Sequence, residues 1–118
     1  MYLYGAGGHA KVVIEILEKN GVKVHGLFDD NYDINTLLGY KVFGSLSPDE
    51  TVLEEVIVSI GINLKRWEIV NKHRFNFGKA IHPDAVVSAR SAIREGSVVI
   101  GGAIINSCVK IGKHSIIN

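Results

Sequence analysis

The sequence predicts an α/β protein in two unlike parts: a small layer of parallel strands and helices over residues 1–78, then the opening coils of a parallel β-helix over residues 79–118. Three observations predict it. The first residues, MYLYGAG, are a β-prone run that ends in glycines and leads into helical spacing. Apolar runs and helical patterns go on alternating to about residue 78. From Ile81 an aliphatic residue then returns at every sixth position, a spacing that neither the 3.6-residue period of a helix nor the two-residue period of a strand generates.

Taken in order, residues 1–7 read as a strand entering a turn. The next segment, His9 to Asn20, sets Val12, Val13, Ile16 and Leu17 on one helical face, with Lys11, Glu15, Glu18 and Lys19 on the other and Gly21 as C-terminal cap. VKVHGLFDD is a second strand ending in two aspartates, and KVFGSL is a short third one beyond the loop around Tyr32 to Gly39. Val56 to Ile60 is nearly continuous in apolar residues, as in a parallel strand covered on both faces. NLKRWEIVNKHRF supplies the next helix, with Asn63 as its N-cap and Leu64, Trp67, Ile69 or Val70, and Phe75 facing inward. This alternation makes a Rossmann-like βαβ layer, since two parallel strands need a crossover between them.

Beyond it the chain divides into IHPDAV, VSARSA, IREGSV, VIGGAI, INSCVK, IGKHSI and IN. The aliphatic phase is Ile81, Val87, Ile93, Val99, Ile105, Ile111 and Ile117. Four residues after each of the first six comes a small or modest residue: Ala85, Ser91, Ser97, Ala103, Val109, Ser115. Three hexads make one triangular coil with the aliphatic side chains on its axis, so two complete coils fit, 81–98 and 99–116. Each inward aliphatic contributes roughly 1.5–3 kcal/mol, and the short residues permit the corners. A sandwich strand would alternate by two instead. The last two residues begin a third coil, so the chain is expected to be truncated or to have its open end covered by another surface.

Bulk properties narrow the function. A chain of 118 residues has room for one compact domain and a short appendage. Thirteen basic against twelve acidic residues leave a net charge of +1 with no cationic block, which argues against nucleic acid as a partner. The N-terminus has no cationic leader and no apolar run approaches the ~20 residues of a membrane span, so a cytoplasmic protein is expected. Cys108 is the only cysteine. It allows no internal disulfide and no zinc spacing, and no metal site is expected.

The chemistry-bearing motif is GAGGHA, residues 5–10, which satisfies G-x-G-x-x-A between a strand and a helix. Glycines there let a diphosphate approach backbone N–H groups at the positive end of the helix. A plain tight turn is the alternative. Asp29 and Asp30 end the next strand, where such a layer places an acid against a ribose hydroxyl or base edge, and a polar turn is their alternative. His9, in the first helical turn, is within reach of a sugar or phosphate oxygen, or is simply a surface residue. Gly61 ends a strand at the carboxyl edge, where ligands of open α/β layers bind, or merely terminates it. Lys65 and Arg66 face either a phosphate or solvent. His82, before Pro83, reads as structural, and His114, at a middle hexad position, as pointing outward.

An N-terminal GAGGHA layer, DD after the second strand, and GKAIHPDAVVSARSAIREGSVV leading into hexads together resemble the sialic acid O-acetyltransferase family. That family includes the N-acetyltransferases of UDP-4-amino-sugars and of GDP-perosamine. The resemblance covers essentially the whole chain and implies a left-handed β-helix, a homotrimer, a nucleotide sugar (a UDP-amino-sugar above all) in the N-terminal layer, and acetyl-CoA in a groove between subunits. Gly7, Gly8 and His9 match the family's substrate contacts, Asp29 and Asp30 its nucleoside contacts, and Gly61 a glycine lining the same pocket. Asn118 matches an asparagine about seven residues before the family's general-base histidine. The resemblance therefore implies that no catalytic residue lies in these 118 residues, and that the chain binds a nucleotide sugar without turning it over. Two other readings stand beside it: a non-catalytic sugar-nucleotide-binding or oligomerisation module, and an NAD-binding module, which lacks half of a dinucleotide fold and has no place for hexads.

Overall fold

The computed structural model describes all 118 residues. It is a mixed α/β structure in which the central N-terminal sheet and the C-terminal repeats run in parallel ladders, beside one small antiparallel hairpin. Strand β1 (Tyr2–Tyr4) leads through a glycine turn to helix α1 (Gly8–Lys19), and β2 (Gly26–Phe28), β3 (Thr36–Leu37), β4 (Tyr40–Lys41), β5 (Val56–Val58) and α2 (Asn63–Lys72) follow. The central sheet has the order β2-β1-β5, parallel throughout, with Leu3 opposite Leu27 on one side and Ile57 on the other.

Alternation along these short strands decides which helix each residue meets. Leu3, Leu27 and Ile57 join the cluster that holds Ala10, Val13, Ile14, Ile16 and Leu17 of α1. Tyr4, Phe28, Val56 and Val58 project to the other face and pack with Ile69 and Phe75. Val12 is only half-buried at the rim of the first cluster. Helix α1 ends as its sequence predicts: Gly21 takes φ +67°, its N–H donates to the Glu18 carbonyl and that of Val22 to the Leu17 carbonyl, a Schellman closure that satisfies orphan carbonyls.

Helix α2 departs from its predicted phase. Ile62 occupies the N-cap position and Asn63 is the first helical residue. Leu64 and Trp67 are 65% and 63% exposed, and the buried helical residues are Arg66 and Ile69. Positions 66, 69, 70 and 73 share one side at helical spacing, and the inward side is theirs because the guanidinium of Arg66 finds carbonyl acceptors there. Phe75 is buried as expected, but beyond the helix. KVFGSL is likewise not a third strand of the sheet. Its start pairs antiparallel with Thr36–Leu37 in a small hairpin, and only Val42 bridges to Leu27.

From Ala80 the chain forms two-residue strands every six residues: β6 (Ala80–Ile81), β7 (Val86–Val87), β8 (Ala92–Ile93), β9 (Val98–Val99), β10 (Ile104–Ile105), β11 (Lys110–Ile111) and β12 (Ile116–Ile117). Each pairs in parallel with the strand eighteen positions away: 86 with 104, 92 with 110, and 98 with both 80 and 116. All seven residues of the aliphatic phase lie in one cluster with Ala85, Ala103 and Val109, and their neighbours Val86 and Ile104 are exposed. The turns fall just before the small positions, at 83–84, 89–90, 95–96, 101–102, 107–108 and 113–114. The carbonyls of Ala103, Val109 and Ser115 accept the N–H groups of Val86, Ala92 and Val98 at 2.8–2.9 Å. Buried Ser97 is satisfied by donating to the Gly112 carbonyl and accepting from Ser115 N–H. Cys108 is exposed at φ +66°.

The repeats pack against the N-terminal layer. Ala80 and Val98 belong to the same cluster as α1, with Ile100 against it, and the Asn20 side chain donates to the Ile81 carbonyl at 2.8 Å. Helix α1 thus lies between the sheet and the repeats. No helix is long and apolar enough to cross a membrane.

Candidate functional site

A cleft of about 550 Å³ opens where β1, β2 and β5 end. Its floor is the turn after β1. Gly5 takes φ +114°, and a Cβ there would stand 2.6 Å from Ile60 Cγ1 and 3.1 Å from the Ser59 carbonyl oxygen; only glycine meets both conditions. Gly7 is the N-cap of α1 with no side-chain capping bond and no acid in the first turn. The N–H groups of Gly7, Gly8 and His9 have no backbone acceptor, and a Cβ on Gly7 or Gly8 would meet nothing within 4 Å. An anion can therefore reach three free donors at the positive end of a helix.

The acid pair forms the next wall, and its two members are held differently. Asp29 Oδ2 accepts the Ala6 N–H at 2.6 Å and its Oδ1 the Asn31 N–H at 2.8 Å. It ties the glycine turn to the loop after β2. Asp30 accepts the Tyr4 hydroxyl on Oδ1 at 2.5 Å. Burial, and then the hydrogen bond to Asp30, push the Tyr4 phenol well above its ordinary range, so it stays a neutral donor. Ser59 is buried and donates to the carbonyls of Gly5 and Tyr4. Its hydroxyl fixes the turn and has no base beside it.

The remaining wall comes from the segment between β5 and α2, where Gly61, Ile62 and Lys65 line the cleft opposite His9. A Cβ on Gly61 would touch His9 Cβ at 3.7 Å. Burial, and then the nearby Arg66 cation, hold the His9 imidazole below its usual value, and its buried Nε2 has no protein partner. Of the two cations that the sequence leaves open, Lys65 lines the cleft and Arg66 faces neither phosphate nor solvent. It is 8% exposed, and its guanidinium donates to the carbonyls of His114 (3.0 Å), Ile60 (2.9 Å) and Gly61 (3.2 Å) and to Asn63 Oδ1 (2.6 Å). It staples the cleft's strand end to a corner of the repeats.

Six of the seven predicted site residues, Gly7, Gly8, His9, Asp29, Asp30 and Gly61, line this one cleft; Asn118, exposed at the last position, does not. Tyr4, Asn31 and Ser59 also line it and were not singled out. The available signal was a lone serine inside the apolar strand VIVSIG and a tyrosine immediately before the glycine turn. His82 is structural, accepting the Asp84 N–H on Nδ1. His114 does not point freely outward. Its ring meets Phe77 edge-on at 4.4 Å, Nδ1 is buried without a partner, and a Cβ on Gly96 would land on the imidazole. No group of three or more His, Cys, Asp or Glu residues is placed to hold a metal ion.

Strand order, glycine turn and carboxyl-edge cleft define a mixed α/β protein with a parallel sheet and a cleft at that sheet's carboxyl edge. More narrowly, the chain belongs to the PglD N-terminal domain family, whose model matches residues 1–73. Its solved neighbours extend the match. A point mutant of perosamine N-acetyltransferase from Caulobacter crescentus, in complex with CoA and GDP-perosamine, superposes with a TM-score of 0.89 at 39% identity over 99% of this chain and 59% of its own. The acetyltransferase domain of PglB from Neisseria gonorrhoeae gives 0.83 at 30% identity, over 99% and 60%. An uncharacterized protein of Acanthamoeba polyphaga mimivirus is 45% identical over 47 residues, 40% of this chain and 10% of that one. The chain thus spans about three fifths of the acetyltransferase structures it matches.

Proposed function

We propose that this chain is the nucleotide-sugar-binding part, with the first coils of a left-handed parallel β-helix, of an acetyltransferase that moves an acetyl group from acetyl-CoA to a nucleotide-linked amino sugar. The observation that carries the proposal is the cleft itself. It offers three unengaged N–H groups and Lys65 for a diphosphate, and Asp30 for a nucleoside donor, in a chain that superposes over 99% of its length on a transferase bound to CoA and GDP-perosamine. The parallel ladders at eighteen-residue spacing support the β-helix reading.

In the proposed reaction the sugar amine attacks the thioester carbonyl, a C–N bond forms, the C–S bond breaks, and CoA leaves as the thiol. The amine proton must pass to a general base within hydrogen-bond reach. Ser59 spends its hydroxyl on backbone carbonyls, His82 and His114 lie outside the cleft, and His9 on its wall is assigned to substrate contact, so the proposal gives these 118 residues the binding half of the chemistry. Residues 1–78 form the nucleotide-sugar layer and 79–118 the start of the coils, which in a homotrimer would flank the acetyl-CoA groove.

Calorimetric titration with UDP, GDP and NAD tests the assignment. Binding of UDP or GDP with little affinity for NAD is expected, with UDP the nucleotide that the family resemblance implies above all and GDP the one carried by the Caulobacter neighbour's ligand. Preferential binding of NAD would overturn it. Acetyl transfer to an amino-sugar nucleotide by the 118-residue chain would contradict the division of labour.

A further inference from the structure

The two neighbouring aspartates are not equivalent, and their difference points to a residue that the proposed function does not use. Both oxygens of Asp29 are spent on backbone N–H groups, from Ala6 and Asn31. Asp30 is anchored through one oxygen only, to the Tyr4 hydroxyl at 2.5 Å, the length of a charge-assisted O–H···O⁻ bond. Its other oxygen has no protein partner, and Asp30 is exposed on the cleft wall.

We infer that Tyr4 is the positioning residue of this cleft: it holds Asp30 so that one fixed, unspent carboxylate oxygen meets an N–H or O–H donor of the ligand's nucleoside, while Asp29 serves only to clamp the loops. Tyr4 suits the task. Its side chain is 1% exposed, and its ring is held against His73 at 5.2 Å and against Phe28 and Phe75 at 6.2 Å each. A phenol fixed in this way loses little freedom when it donates, and the carboxylate it holds is already oriented before ligand arrives, which is where preorganisation raises affinity. The inference rests on the nucleotide-sugar reading above and adds to it which acid recognises the nucleoside and what aims that acid.

The test uses the full chain, with UDP and GDP as probes, calorimetry for affinity and thermal melting for folding. Tyr4→Phe removes one hydroxyl and keeps the ring in its stack. Tyr4→Phe and Asp30→Asn are each expected to weaken nucleotide binding about five- to tenfold, and the double variant to be no weaker than Asp30→Asn alone, because Tyr4 acts through Asp30. Asp30→Glu keeps the charge but shifts it by one methylene, and is expected to lose affinity like Asp30→Asn; this arm does not depend on how Tyr4→Phe folds. Asp29→Asn is expected to lower the melting temperature, which Asp30→Asn leaves near wild type. Multiplicative losses in the double variant, wild-type affinity in Tyr4→Phe or Asp30→Glu, or loss of binding in a stably folded Asp29→Asn would each overturn the inference while leaving the nucleotide-sugar reading intact. A wild-type chain that binds neither UDP nor GDP overturns that reading and this inference with it.

Discussion

Replacing Gly5 by alanine puts the cleft's floor to a quantitative test. At φ +114° a Cβ costs about 1–2 kcal/mol in backbone strain. The methyl would also stand 2.6 Å from Ile60 Cγ1, which can shift, and 3.1 Å from the Ser59 carbonyl oxygen, which belongs to the central sheet's end and cannot shift freely; overpacking of this kind costs about 1–3 kcal/mol. Reduced freedom of the unfolded chain returns about 0.4–1 kcal/mol, leaving a net loss of roughly 1–5 kcal/mol, or at least about 4 °C in melting temperature for a domain of this size. Gly7→Ala is the internal control. Gly7 has φ −91° and open space around its Cβ position, so stability should stay within about 1 kcal/mol of wild type, while nucleotide affinity falls if a diphosphate lies over the turn. Urea denaturation and calorimetry of both variants decide the matter. A Gly5→Ala protein within 0.5 kcal/mol of wild type, an order-of-magnitude threshold for an innocuous surface change, would refute the reasoning about the turn.

Other consequences can be checked in the same way. Ile105→Ala should cost about 2–5 kcal/mol, and Ile104→Ala, its exposed neighbour, less than about 0.5 kcal/mol; equal losses in urea melts would break the hexad phase. Burial holds His9, His73 and His114 below their ordinary value, so the folded state binds fewer protons than the unfolded one, and stability should be full above pH about 6.5 and fall as the pH drops through the lowered values. His73→Phe, which keeps the stack on Phe75, should flatten part of that slope between pH 5 and 7, an order-of-magnitude window around the ordinary histidine value. Arg66→Lys should not rescue what Arg66→Met loses, about 2–3 kcal/mol by equilibrium unfolding, because four acceptors around one planar fork cannot be served by a single ammonium.

The repeats were legible because their rule depends only on distance along the chain. Whatever surrounds it, Val99 sits in phase with Val87, two hexads on, and the structure gathers it in one cluster with Ile93 and Ile105. The glycine turn and the acid pair were legible for a related reason, since a strand end fixes where its next residues go, and Gly7, Gly8, His9, Asp29 and Asp30 all arrive at one sheet edge. The inward side of α2 was not. Arg66 reads as a solvated cation, and Trp67 as a core residue, unless one knows that a carbonyl from position 114 waits for the guanidinium. Tyr4 was hidden by the same locality limit: its partner Asp30 lies 26 positions away, and nothing in MYLY marks one tyrosine as the donor.

The placement of α1 bears on where this polypeptide can be cut. The family match ends at residue 73, yet Ala80 and Val98 belong to the same apolar cluster as Val13, Ile14 and Leu17 of α1. A protein trimmed to its matched segment would leave that side of the helix wet and lose the bond from Asn20 to Ile81. The expected behaviour is a single melting event shared by both parts, and poor solubility for the shortened piece, so excising or swapping the front half calls for carrying at least the first rung along with it.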